Sequence, residues 1–270
     1  DLNDVNMIDP FHLEAYGETA VNYNRDVEVF PVLRAIFETI IGSCPYQSPT
    51  DMGVNMAGNC ITDDEACCEA SKQEIVRRYY HALCDHRQGR SGPEAAYKID
   101  LLMKQAGITP AARPVAAAAN ARAEDTGMPA AAIELPSGKI ITGKTSPLLG
   151  ASAAVLLNAL KELGGINHEM HLISPIVIEP IQRLKTTHLG NRNPRLHTDE
   201  TLLALAICAV TDPLAQRAMA ELAMEQLPKL RGCEAHSSVI LSQVDETTFR
   251  KLGLNLTCEP KYQTKKIYHK

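Results

Sequence analysis

The stretch PAAAIELPSGKIITGKTS, residues 129–146, decides how the second half of this chain folds. Within it, GKIITGKT at 138–145 matches the G-x-x-x-x-G-K-[ST] pattern of a phosphate-cradling P-loop. Such a loop needs a flexible segment whose backbone N–H groups wrap the phosphates ahead of a helix N-terminus. Between the two glycines stand Lys139, Ile140, Ile141 and Thr142; the last three are β-branched, stiff and suited to extended backbone. Pro136, Ser137, Gly138 and Lys139 have turn composition. The stretch therefore predicts two short strands around a turn, with Gly143, Lys144 and Thr145 leading out to a helix. The nearest Walker-B candidate, VILSQVD, is distant and poor. Nucleotide hydrolysis at 138–145 stands as a disfavoured alternative, in which Lys144 contacts phosphate; beside a helix start Lys144 could also serve another anion, or simply be solvated.

Downstream, Ser146 and Pro147 open a helix in the favoured way, a cap followed by proline at the first position. HLIS (171–174) reads as a short strand, and Ser174-Pro175 as another helix start. HTDETLLALAICAV and DPLAQRAMAELAMEQL are helical, while HSSVILSQ, DETTFRKLG and LNLTCEP give strand, helix, strand. Strands alternating with helices predict a three-layer α/β domain with a mixed, mainly parallel sheet. Upstream, helical spacing runs through DVEVFPVLRAIFETII, with Pro31 demanding a kink or a late start. Further helices are predicted over 62–89, capped by Thr62 with Glu65, over 91–107, capped by Ser91 with Glu94, and over 109–127, interrupted by Pro114. The expected division is a mainly helical domain at 1–128 and an α/β domain at 129–270.

Composition bounds the function classes. A length of 270 residues favours two domains, and 45% apolar with 22% charged residues is ordinary globular chemistry. The net charge of −5 argues against nucleic acid, and no apolar run is long enough to span a membrane. Eight cysteines without any C-x-x-C fit reduced, buried thiols and a cytoplasmic location. The chain opens without Met in what reads as mid-domain, which predicts a fragment; a homo-oligomer stays open.

Several constellations could carry chemistry. HEMH at 168–171 is one residue short of the zincin spacing that puts two histidines on one helical face, so a surface loop is the better reading. Cys60, Cys67, Cys68, His81, Cys84 and His86 are soft ligands, but Cys67 and His81 lie about 21 Å apart along a helix at about 1.5 Å per residue. Structural thiols are preferred, and no metal is expected. GVNMAGN at 53–59 is a ligand loop or, more simply, a Gly/Asn turn. Glu234 and His236 lie two apart in an extended segment and so face one side, as a general base with its orienter or as a structural pair. The richest stretch is IQRLKTTHLGNRNPRLHT, 181–198, with Arg183, Lys185, Arg192 and Arg195, His188 and His197, and no acid. Its loop, carrying Asn191, Arg192, Asn193 and Arg195, leads into a helix expected to be capped by Thr198. Arginine forks, amides and a helix start suit carboxylate or phosphate recognition; a solvated basic loop is the plain alternative.

NMIDPFH, NYNRD, PTDMGVN, EASKQEI, IELPSGKIITGKTS, LGNRNPRLHTDE, GCEAHS, VILSQVDETTFRKLG and NLTCEP together resemble an uncharacterised bacterial family, domain of unknown function number eighteen forty-six. The resemblance implies the C-terminal half of a longer protein, with a missing N-terminal half as partner. Some family members carry a peptidase label, for which no catalytic set is readable here. By fold analogy the α/β domain also suggests cytidine-deaminase topology: hairpin, helix, strand, helix, further strands. The zinc motif is absent, since Gly150-Ala151-Ser152 and Ser174-Pro175-Ile176-Val177-Ile178 stand where its ligands belong. The resulting expectation is an uncharacterised bacterial protein, part of an enzyme binding a small anionic or phosphorylated ligand at 190–200. Asn191, Arg192, Asn193, Arg195 and Lys144 would bind the anion, and His197 or His236, with Glu234, would move a proton. The alternative is a non-catalytic binding or assembly module. The sequence names no cofactor.

Overall fold

A computed structural model describes residues 6–53, 56–57 and 62–263. The chain divides into two compact units, Asp1–Arg113 and Pro114–Lys270.

The first unit is mainly helical, with a small antiparallel sheet that its sequence pattern hides. β1 (Asn6–Ile8), α1 (Pro10–Tyr16), β2 (Ala20–Tyr23), α2 (Asn24–Ile41), β3 (Met56–Ala57), α3 (Asp64–Arg87) and α4 (Glu94–Gln105) follow in order, and the strands lie β1-β2-β3. Three strands of four residues or fewer are too short to show alternation, so the opening reads as irregular. Asp9 organises this region: fully buried, it accepts hydrogen bonds from the Phe11 and His12 N–H groups at the start of α1. It also accepts the N–H and hydroxyl of Thr50. α2 continues through Pro31, because Val27, Phe30 and Pro31 are all buried and burial outweighs one lost backbone bond. The cap of α3 is Asp63, whose carboxylate accepts the Ala66 N–H, rather than Thr62. Similarly, Pro93 precedes α4 with no side-chain cap from Ser91. Of the 53–59 segment, Gly53 ends a short turn with φ 84°, and most of the remainder lies outside the described residues, as does Cys60.

The second unit starts with α5 (Pro114–Thr126), then the hairpin β4 (Ala130–Glu134) and β5 (Ile140–Lys144), and α6 (Ala151–Leu163). α7 (Pro175–Arg183), α8 (Thr198–Thr211), α9 (Leu214–Glu225), β6 (Glu234–Ser237), α10 (Gln243–Lys251) and β7 (Asn255–Cys258) complete it. Pro114 opens α5 rather than interrupting it, and α5 packs on the sheet of this unit. Strand order is β5-β4-β6-β7. Alternation along β4 sends Ala132 toward Val115 and Ala119 of α5, and Ala131 and Ile133 toward the larger core with Val155, Leu156 and Leu160 of α6. The unit is thus layered helix, sheet, helix.

Two expectations need correction. The sheet is mixed but not mainly parallel: β4 pairs antiparallel with both β5 and β6, and only β6 and β7 are parallel. Residues 171–174, expected as a strand, form none; Leu172 and Ile173 are buried in the core without entering the sheet. Apolar burial alone produced the strand-like pattern there. Deaminase-type topology would require that strand between α6 and α7, so the analogy goes no further.

The hairpin settles the opening stretch. Gly138 sits in the turn at φ 80°, and Ile140 to Lys144 pair in register with Glu134 to Ala130. Gly143 is needed for packing: a Cβ there would lie 2.2 Å from the Val155 backbone nitrogen, so only glycine lets α6 approach β5. Residues 140–144 are therefore strand, not phosphate loop, and Lys144 ends β5 instead of opening a helix.

Candidate functional site

The segment after α7 makes a π-helical turn over Leu184–His188 and then the polar loop leading to α8. Asn191, Arg192 and Asn193 are exposed, and Arg192 forms no ion pair among the described residues. Arg195 is half-buried. Its backbone N–H donates to Asn193 Oδ1 at 3.2 Å, and its Nε donates to the Ser146 carbonyl at 2.8 Å. Leu196 pairs with Leu149 in an isolated parallel bridge, and Gly150 N–H donates to the Leu196 carbonyl. These bonds fasten the basic loop to the segment that enters α6.

The basic run is less free of acid than its sequence implies. Lys185 is 3% exposed, and its ammonium donates to Glu200 Oε2 and to the Arg195 carbonyl, both at 2.6 Å. Glu200 also accepts the His197 N–H at 2.8 Å, closing the start of α8. His197, not Thr198, is the cap position, and Thr198 is the first helical residue.

His197 has the most developed surroundings of the candidates. Its Nδ1–H donates to Asp245 Oδ2 at 3.0 Å, which fixes the ring proton on that nitrogen. Asp245 Oδ1 accepts the Thr198 N–H at 2.8 Å and the Thr198 hydroxyl at 2.6 Å, while Ser242 Oγ donates to Oδ2 at 2.7 Å. Burial opposes ionisation of Asp245, but the hydrogen bonds from His197, Thr198 and Ser242 outweigh it and hold the carboxyl well below the usual range. The same hydrogen bond to Asp245 raises His197, against the opposing effect of burial. The imidazole side chain is 32% exposed and its Nε2 takes part in no hydrogen bond among the described residues, so a proton can pass there.

His236 differs. Fully buried on β6, it faces α5 beside Thr257, with Nδ1 2.8 Å from Thr257 Oγ1 and Nε2 3.5 Å from Glu259 Oε1. The hydrogen bond to His236 lowers the Glu259 pKa, aided by the Asn120 amide. Glu234 accepts the Asn255 side-chain amide across the β6–β7 pair. Lys144 is exposed. In HEMH, His168 Nε2 hydrogen-bonds Glu162 Oε2 at 3.0 Å, and Glu162 also pairs with Lys139. Cys67 and His81 lie on one continuous helix, α3, as their spacing requires.

Asp245 and Ser242 were not singled out as site residues from sequence. Their signal was Ser242-x-x-Asp245, a helix-start pattern, and sequence cannot show that this acid also reaches the start of another helix. Lys185 stands in the acid-free run 181–198, and its partner Glu200 lies just beyond that run, so only the folded chain pairs them.

An α/β unit with a mixed sheet, and a histidine held by a buried carboxylate beside a basic loop, is the class the geometry defines. Residues 111–268 match the family model "Domain of unknown function DUF1846, C-terminal", and residues 1–107 match "Domain of unknown function DUF1846, N-terminal". The chain belongs to the DUF1846 family. Among its relatives, "UPF0371 protein" from Streptococcus pneumoniae strain P1031 and that from serotype 4 strain TIGR4 are each 57% identical over 270 residues. The match covers 100% of this chain and 54% of each relative, so the chain spans about half the length of the curated relatives it matches. These models correct the resemblance as read above. The chain is not the C-terminal half alone, because its first 107 residues carry the family's N-terminal domain, and that domain is not an absent partner. Among the described residues no helix is long and apolar enough to cross a membrane.

Proposed function

We propose that the α/β unit binds a small anionic, phosphorylated ligand at the 190–200 loop, and that His197 transfers a proton to or from it. The observation that carries this reading is the His197–Asp245 pair. A buried carboxylate fixes the imidazole tautomer and orientation, and the opposite ring nitrogen is unengaged among the described residues, on a partly exposed face. Arg192, exposed and unpaired among the described residues, and Arg195, anchored through Nε alone, supply guanidinium donors on the same loop. Asn191 and Asn193 flank them. His236 has no exposed surface and is assigned to the interior of the sheet. The test is calorimetric binding of a panel of phosphorylated metabolites to the unaltered chain and to an Arg192→Ala/Arg195→Ala double variant. A loss of affinity of about tenfold or more supports the site, as charge-assisted hydrogen bonds are worth roughly that much each; equal affinities remove it.

One observation favours the assembly reading. On α8, Leu203, Ile207 and Val210 stand at helical spacing and are 65%, 48% and 70% exposed, and Leu214, the first residue of α9, is 84% exposed. A run of uncovered aliphatic side chains along α8 and into α9 suits a protein partner.

A further inference from the structure

We infer that His197 enters the anion site as an imidazolium, donating from Nε2 as a third cation beside Arg192 and Arg195, so that the site takes a dianion and releases it when the ring loses its proton. This rests on the anion-binding reading above. It names the ligand class, the dianionic head of a phosphate monoester, and the regulation of that same site by pH.

Asp245 dictates the state of the ring. Its side chain is buried, and it accepts hydrogen bonds from the Thr198 N–H and hydroxyl, from Ser242 Oγ and from His197 Nδ1. A carboxyl that only accepts is ionised, since a protonated one would have to donate. A buried negative charge is costly unless a positive one stands against it. Among the described residues the one ion-pair partner of Asp245 is His197. With Nδ1–H committed to Asp245, a second proton on Nε2 completes a buried ion pair. Two further charges face the ring. Glu200, on the first turn of α8, favours the charged form, and Lys185 of the π-helical turn opposes it; these two are bonded to each other. Asp199 is exposed and accepts the Glu200 N–H, and Ser242 Oγ lies 3.4 Å from Nδ1. Burial also works against the charge, but the hydrogen bond to Asp245 outweighs it.

An imidazolium is a donor at both nitrogens, and here one donor is left over: Nε2–H has no acceptor among the described residues, on a partly exposed side chain. Arg192, on the same loop, is exposed and forms no ion pair among the described residues. Arg195 spends only Nε, on the Ser146 carbonyl, which leaves its terminal nitrogens to donate elsewhere. The acids nearest this loop are committed, Glu200 to Lys185 and Asp245 to His197. Three cationic donors with no acid left to neutralise them suit an acceptor that carries more than one negative charge. A dianionic phosphoryl head meets that demand with three terminal oxygens. A carboxylate brings one charge and two oxygens.

Sulfate is the probe, because it stays a dianion over the whole range from about pH 6 to about pH 9 in which a raised imidazole titrates. Binding to the full chain is measured by calorimetry across that range, with acetate as the monoanion for comparison. The expected result is a sulfate affinity that falls about tenfold as pH rises, since a charge-assisted hydrogen bond is worth roughly that much. At the acid end sulfate should bind more tightly than acetate. His197→Gln is expected to bind sulfate at the weak, alkaline level throughout. NMR titration of the unaltered chain provides a second readout that needs no variant to fold. Saturating sulfate should move the His197 midpoint upward, because a ligand that prefers the imidazolium must by reciprocity stabilise its proton. An unmoved His197 midpoint, or acetate bound as tightly as sulfate, overturns the inference. A pH dependence that survives in His197→Gln belongs to another group, such as His188 in the same basic run, and overturns it too. Sulfate binding that ignores pH but is lost in Arg192→Ala/Arg195→Ala keeps the loop reading and removes the imidazolium from it. Absence of sulfate binding at every pH removes both.

Discussion

His197 and Asp245 are 48 positions apart and joined by one 3.0 Å hydrogen bond, and each changes what the other is. The carboxylate makes the imidazole a stronger base; the imidazole and two hydroxyls make the carboxyl a stronger acid. The signs have consequences for stability. With the folded pKa of His197 above its unfolded value of about 6.5, its contribution is full below that value and is lost as pH rises through the folded pKa. With Asp245 held low, its contribution is present above about 3.9 and is lost as pH falls through its folded pKa. Asp245→Asn is expected to move the His197 titration downward, toward the ordinary imidazole value, as read from its ring resonances by NMR against pH. An unmoved titration would show that the pair is geometric only. Sequence presented His197 as a candidate because of the arginines near it; that Asp245 orients it could not be read, since no local rule links two helix starts so far apart.

At the scale of elements, the π-helical turn and the start of α8 are held together by the Lys185–Glu200 pair. Lys185 is buried, so removing Glu200 strands an ammonium away from water. Glu200→Ala is expected to destabilise the chain by about 3 kcal/mol in denaturant melts, and Lys185→Met added to it should recover most of that loss. A loss under about 1 kcal/mol would place the pair among ordinary surface bridges. The hairpin was legible in sequence because β-branched residues flank a Pro-Ser-Gly turn, and both predictors are local. α10 and β7 were legible for similar reasons. The short strands of the first unit, and the irregular course of 171–174, were not, because pairing partners and core position override local pattern.

For the molecule as a whole, the exposed stripe from Leu203 to Leu214 bears on assembly. The assembly reading expects the chain to sediment above its monomer mass, and Leu203→Glu with Val210→Glu to return it to that mass. A wild-type chain that sediments as a monomer at all concentrations removes this reading. By itself the sequence determined the helices, the hairpin that displaces a P-loop, and the loop where cations gather, because each depends on residues within a few positions of one another. Only the tertiary structure decided the antiparallel bias of the sheet, the neutralisation of Lys185 and the coupling of His197 to Asp245. These depend on which distant groups share the same few ångströms after burial, and the free energy of burial is a property of the packed chain, not of any stretch within it.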